Sequence, residues 1–449
     1  MVFYFFQHFA VMRPIISIKK HELFYRGRES FLRTGKLERT LVRISLFNLL
    51  IVSLLGVLMR SIPLIDNFPL LYKNVLHGHS HFAFGGWLMP ILLVQIIRAF
   101  PQVKESIGLE HLKMIAFALL FSAAGMLVTF PFMGYALASI IFSTLSVAAS
   151  FYLVVMVWKA LKGRQLSVSE KFLKAGLVWL ALSAIGPFAT GPIIAMGQQG
   201  SPLYFNSVYF YLHFQVNGWF VFVILALLYR LMENKGVAAN GDISFKLMNL
   251  AVVPTFFLSV LWNQPSAVFY VIGGAGAVLQ LAALFYMVKD WQRWKNVSRI
   301  STWIQVALVA FVMKLVLQFL GAFPLFASMA FENKSIVIAF LHLVLLGFVS
   351  LFVLDSISEH SRLGEFRNGM KLFLGAFVFT ELLMVLYAMG SVLGFLIPYY
   401  QELLLAFSLF FPLGIWMMLA SFYTRSTAQP FRLVSISSVQ IYSIATRLH

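Results

Sequence analysis

The sequence predicts an all-α protein, a polytopic membrane bundle of about twelve transmembrane helices with both termini cytoplasmic. Three observations carry that prediction. Of the 449 residues, 60% are apolar and only 11% are charged, against about 25% charged in an ordinary soluble domain. Mean hydropathy is +0.86, and apolar runs long enough to cross a hydrocarbon core of about 30 Å recur through the chain. The basic residues alternate sides in the way that fixes topology.

The predicted spans are 42–62, 75–97, 114–133, 137–158, 173–196, 206–229, 247–262, 267–288, 302–322, 335–354, 372–392 and 399–422. Residues 42–423 form one membrane domain, between a basic N-terminal segment (1–41) and a C-terminal tail (424–449). The chain opens on an apolar stretch, with Arg13 and the basic run from Lys19 to Arg43 after it. A signal peptide has the opposite order, so this segment is expected to remain as a cytoplasmic piece, part of it an interfacial helix. The seventh span is divided from the eighth by the turn signal Asn263, Gln264 and Pro265.

With the N-terminus inside, all but four of the 34 Lys and Arg residues fall on cytoplasmic segments. The exceptions are Arg60, Lys73 and Lys334 in outer loops and Lys314 inside the ninth span. This is the positive-inside signature of a membrane protein, here expected in a bacterial inner membrane. It also accounts for the net charge of +18, because basic loops face an anionic leaflet. The lipid bilayer is therefore the expected partner, and nucleic acid is not. The chain has no cysteine, which excludes disulfides, Cys-ligated clusters and thiolate chemistry.

Five of the ten histidines lie inside predicted spans: His77, His79 and His81 on the second, His213 on the sixth and His342 on the tenth. These three spans run in the same direction. Each histidine is within about 15 Å of the outer end at the helical rise. Polar groups in lipid are costly and face a bundle interior, and neutral imidazole is the commonest metal ligand. The alternative for each is a histidine hydrogen-bonded to a backbone carbonyl. His77 and His81, at i and i+4, share a helix face, whereas His79 points about 200° from His77. One helix can thus offer a pair to one neighbour and a single imidazole to another.

Other intramembrane polar residues are few. Lys314 and Gln318 share a face of the ninth span, Glu381 lies midway along the eleventh, and Gln215 and Asn217 follow His213. Lys314 reads either as an amine snorkelling to the outer interface or as a proton relay or counter-charge to an anionic ligand. Glu381 reads either as a structural carboxyl or as a relay. The glycines Gly85, Gly86, Gly274 and Gly276 read as close helix contacts.

In the second span His79 stands eleven residues before Pro90 in a Leu88-Met89-Pro90 ending, and a FAFGGW stretch begins at Phe82. In the tenth, His342 is followed by LVLLGFVS. Together with twelve spans, these segments resemble subunit I of the haem–copper oxidase superfamily, the large subunit of cytochrome oxidases and nitric oxide reductases. The resemblance implies His79 and His342 as axial ligands of a low-spin haem b, and His213 at the place of the sixth-helix ligand of a second metal, copper or iron. It also implies respiratory-chain redox partners. The chain departs from that pattern at Phe340, which stands where the high-spin haem ligand belongs, and in the seventh span, which has no histidine. Tyr209 and Tyr211 lie near His213 without the family's histidine–tyrosine arrangement. The usual oxygen- or nitric-oxide-reducing centre is thus not expected.

Three functional readings follow, and whether the chain is an enzyme stays open among them. The first is a haem b membrane protein for electron transfer or for redox or gas sensing. The second is an oxidoreductase acting on oxygen or nitric oxide, with a metal held by His77, His81 and His213. The third is a metal or small-ligand carrier, against which stands the lack of a recognisable internal repeat or of paired broken helices.

Overall fold

A computed structural model of the chain describes residues 35–358, 361 and 363–423. The C-terminal tail and most of the basic N-terminal segment lie outside the described residues. Among the described residues, twelve helices are long and apolar enough to cross a membrane, and no strand occurs. They are α1 (Gly35–Leu64), α2 (Tyr72–Ala99), α3 (Leu109–Met133), α4 (Leu137–Leu161), α5 (Val168–Ala195) and α6 (Pro202–Glu233). The second half comprises α7 (Gly241–Asn263), α8 (Ala267–Val297), α9 (Thr302–Leu320), α10 (Lys334–Ser358), α11 (Gly364–Leu393) and α12 (Tyr400–Ala420).

The helices overrun the predicted apolar windows mainly at the end away from the histidines, where polar turns extend them. Those turns are pinned by ion pairs and caps. Glu38 accepts from Arg98 at 3.1 Å and Lys104 at 2.8 Å. Glu233 accepts from the Ser169 amide at 2.8 Å. The buried Asp290, just beyond the predicted end of α8, accepts from the Asn240 amide at 3.1 Å. The break between α7 and α8 falls at Gln264, in a left-handed backbone conformation (φ 47°).

Three helices form the centre. The apolar windows of α2, α6 and α10 are 83%, 89% and 56% buried, and no other span exceeds 50%. They touch one another directly: Trp87 of α2 donates to Ser350 of α10 at 3.1 Å, and Trp219 of α6 donates to the Met89 sulfur of α2 at 3.2 Å. Lipid tails are as apolar as leucine, so such close packing and interhelical hydrogen bonds are what holds a membrane bundle together.

The same three helices share a π-helical segment: Ala83–Leu88, Phe214–Phe220 and Leu343–Ser350. π-turns are rare and concentrate at functional sites. Each segment begins one or two residues after a histidine, and the residues align. His81, His213 and His342 are each followed five residues on by glycine (Gly86, Gly218, Gly347) and six on by a buried aromatic (Trp87, Trp219, Phe348). The pattern recurs on every fourth span, α2, α6 and α10, and three matching residues in each are too few to stand out in an apolar background. The glycines serve close approach: a Cβ at Gly218 would lie 2.4 Å from Trp179 of α5, and one at Gly347 would lie 2.9 Å from Phe377 of α11. The Gly86 carbonyl accepts from the buried Asn48 amide of α1 at 2.7 Å. On α8, Gly276 does contact α7, where a Cβ would lie 2.8 Å from Thr255, but its companion there is Gly273 rather than Gly274.

Candidate functional site

The predicted split of the histidine triplet is present in the structure. His79 turns towards α1, where its Nδ1–H donates to the Val52 carbonyl at 3.1 Å. His77 and His81 turn the other way, towards the end of α3.

On α10, His342 faces α11 and its Nδ1–H donates to Glu381 at 2.9 Å. His79 and His342 lie within electrostatic range of each other across α2 and α10. Each ring is fixed through Nδ1, and neither Nε2 has a hydrogen-bond partner among the described residues. A carbonyl or carboxylate on Nδ1 selects the tautomer whose Nε2 lone pair is free, and this outer partner orients a metal-binding imidazole and raises its basicity. Ligation of a haem iron by both residues would need that arrangement at each ring.

The site includes a residue that the sequence reading placed with the outer loops. Arg60, at the end of α1, donates to the Ser408 hydroxyl of α12 and lies within electrostatic reach of Glu381 and His79. The Glu381 carboxylate thus stands between a cation and an imidazole, with its Oε2 buried and unpartnered. Nothing in the spacing signals this, because Arg60, His342 and Glu381 lie on three different helices.

His213 is placed differently. Its Nε2–H donates to the Val252 carbonyl of α7 at 2.8 Å, while Nδ1 lies 3.3 Å from the Asn217 amide and 3.4 Å from the Ser259 hydroxyl. Both ring nitrogens are engaged, which is the carbonyl-bonded alternative rather than an open ligand. The three-imidazole site of His77, His81 and His213 is not assembled, since His213 turns to α7 and the pair turns to α3. Among the described residues, no three His, Asp or Glu side chains gather at metal-binding distance.

Lys314 does not snorkel. It is 1% exposed, its amine is buried without a partner, and it lies within electrostatic reach of His213. Gln318, one turn further along α9, also buries an unpartnered amide oxygen, as does Asn217. Gln215 accepts from Ser183 of α5 at 2.9 Å, a tie between two helices. These residues are separate from the His79–His342 pair.

His77 and His81 pack with Phe130 and Tyr135 in an aromatic cluster. The His81 ring stacks on Phe130 with centroids 4.4 Å apart, and Tyr135 meets the His77 ring edge-on at 4.7 Å. The Tyr135 hydroxyl lies 3.1 Å from His81 Nε2. No family model and no curated protein matches the chain.

Proposed function

We propose that the chain is a haem b membrane protein that carries electrons, with His79 and His342 as the axial pair. The observation that carries this reading is the matched state of those two imidazoles. They sit on two of the three central helices, each anchored through Nδ1 and each with its Nε2 free of a hydrogen-bond partner among the described residues. Held by His79 and His342, a haem would supply a one-electron couple at this place in the bundle.

The protein's own residues would set the conditions for that couple. Val52 holds His79 through a neutral carbonyl, whereas Glu381 holds His342 through a carboxylate, so the second imidazole is the more electron-rich. Arg60, within electrostatic reach, offsets the carboxylate's charge. The buried flanks of α2 and α10 exclude water from the inner side of the pair. An electron-transfer role favours redox proteins of a respiratory chain as partners and a bacterial inner membrane as the location.

The test is the haem content of protein purified from haem-replete cells, read as its pyridine haemochrome. One haem b per chain is expected. Haem-free protein from such cells would end this reading.

A further inference from the structure

We infer that the α4–α5 edge of the bundle holds one anionic phospholipid. Its phosphate lies among Lys159, Lys162, Arg164 and Lys174, and an acyl chain follows the lipid-facing groove between the two helices. The site goes beyond the haem reading and stands without it.

Three observations converge. First, each helix carries an exposed apolar stripe that ends in cations. On α4, Phe151, Val155 and Trp158 are exposed at i, i+4 and i+7, and Lys162 follows at i+11 where the helix stops. These spacings put all four on one side of the helix. On α5, Val178 and Ile185 are exposed at i and i+7, with Lys174 one turn before Val178. The two helices pack against each other. The apolar window of α4 is only 17% buried, the least of the twelve spans, so this edge of the bundle faces lipid tails.

Second, the two stripes are joined at headgroup level. The Lys174 amine of α5 lies 4.4 Å over the Trp158 ring of α4. Tryptophan anchors at the membrane–water interface, and the cation–π contact keeps the amine there instead of in bulk water. The chain leaves α4 through Gly163, where a φ of +73° makes a turn that favours glycine. Lys159, Lys162 and Arg164 group around that turn, at the end of the bundle that the charge distribution makes cytoplasmic.

Third, the charge of this patch is unbalanced. The neighbouring carboxylates are engaged elsewhere. Glu170 accepts from the Gln102 side chain at 2.7 Å and from the Ser167 amide at 2.9 Å. Asp242 pairs with Lys171 at 2.6 Å, and Glu110 with Lys113 at 2.7 Å. Among the described residues, none of the four cations pairs with a carboxylate. A phosphodiester supplies the missing negative charge and accepts from several N–H donors at once. Free phosphate would leave both apolar stripes unused, whereas a phospholipid brings the chains that match them. The general attraction of basic loops for an anionic leaflet needs no such groove.

The full chain, delipidated in detergent and given equal amounts of phosphatidylglycerol and phosphatidylcholine, would be read by native mass spectrometry. One phosphatidylglycerol retained per chain is expected. Each basic group beside an anionic lipid strengthens binding about fivefold, so the variant Lys159→Gln/Lys162→Gln/Arg164→Gln/Lys174→Gln should lose at least about 100-fold. A control with the same loss of charge, Lys235→Gln/Lys246→Gln/Lys295→Gln/Arg299→Gln, should bind within about threefold of wild type. Arginine at Lys159, Lys162 and Lys174 should retain the lipid, which separates lost charge from misfolding. Trp158→Leu, which frees the Lys174 amine, should bind about fivefold more weakly. Equal retention of phosphatidylcholine, an equal loss in the control variant, or displacement of the lipid by excess inorganic phosphate would each overturn the assignment.

Discussion

Replacing Glu381 with glutamine removes one negative charge and leaves a hydrogen-bond acceptor for His342, so it isolates the electrostatic effect of the carboxylate on the haem couple. The carboxylate oxygen is 2.9 Å from His342 Nδ1, which puts it about 7 Å from a charge bound at the far ring nitrogen. At an effective dielectric of about 20, suited to a pair that is only partly enclosed, a unit charge at that distance contributes about 2.4 kcal/mol. For a one-electron couple about 1.4 kcal/mol corresponds to about 59 mV, so the midpoint potential of Glu381→Gln should rise by about 100 mV. The variant also removes a negative charge within electrostatic reach of Arg60. Arg60 keeps Ser408 as an acceptor, so the protein should fold with a lower melting temperature. A spectroelectrochemical titration in detergent measures the shift. A potential that falls, or that moves by less than about 20 mV, would refute the placement of Glu381 behind an axial ligand.

Other perturbations test the scaffold. Asn48→Leu strands the Gly86 carbonyl inside the α2 π-segment and should cost about 1–3 kcal/mol, read by thermal unfolding in detergent. Lys314→Met removes a buried amine that has no partner, so stability should hold or rise by about 1–3 kcal/mol; a large loss would reveal a partner for the amine. Gly218→Ala places a Cβ against Trp179 and should cost about 1–3 kcal/mol through overpacking of α5 on α6, measured the same way.

The spans and the turn at Asn263–Pro265 were legible because the bilayer imposes a long apolar run on every crossing. The helix ends were less so. The turns beyond each run are polar, and their stability comes from partners distant in sequence, as with Asp290 and Asn240. The division of the histidine triplet followed from the helical period alone. The partners of each histidine did not: Val52, Glu381 and Tyr135 come from other helices or loops. Lys314 looked as if it could reach an interface, and only packing shows that it does not. The pattern shared by α2, α6 and α10 is not legible in the sequence, because it is only a histidine, a glycine and an aromatic in each of three apolar helices, and π-turns have no composition of their own.

His79 and His81 compete for the same role, the first by its spacing to Pro90 and the second by the pattern it shares with His213 and His342. Low-temperature electron paramagnetic resonance of the oxidised protein, recorded for His79→Ala, His342→Ala, His81→Ala and His213→Ala, decides between them. The wild type should show a low-spin bis-imidazole signal that is lost in His79→Ala and His342→Ala and kept in His81→Ala and His213→Ala. A signal that survives in His79→Ala, or disappears only in His81→Ala, would contradict the assignment of the axial pair.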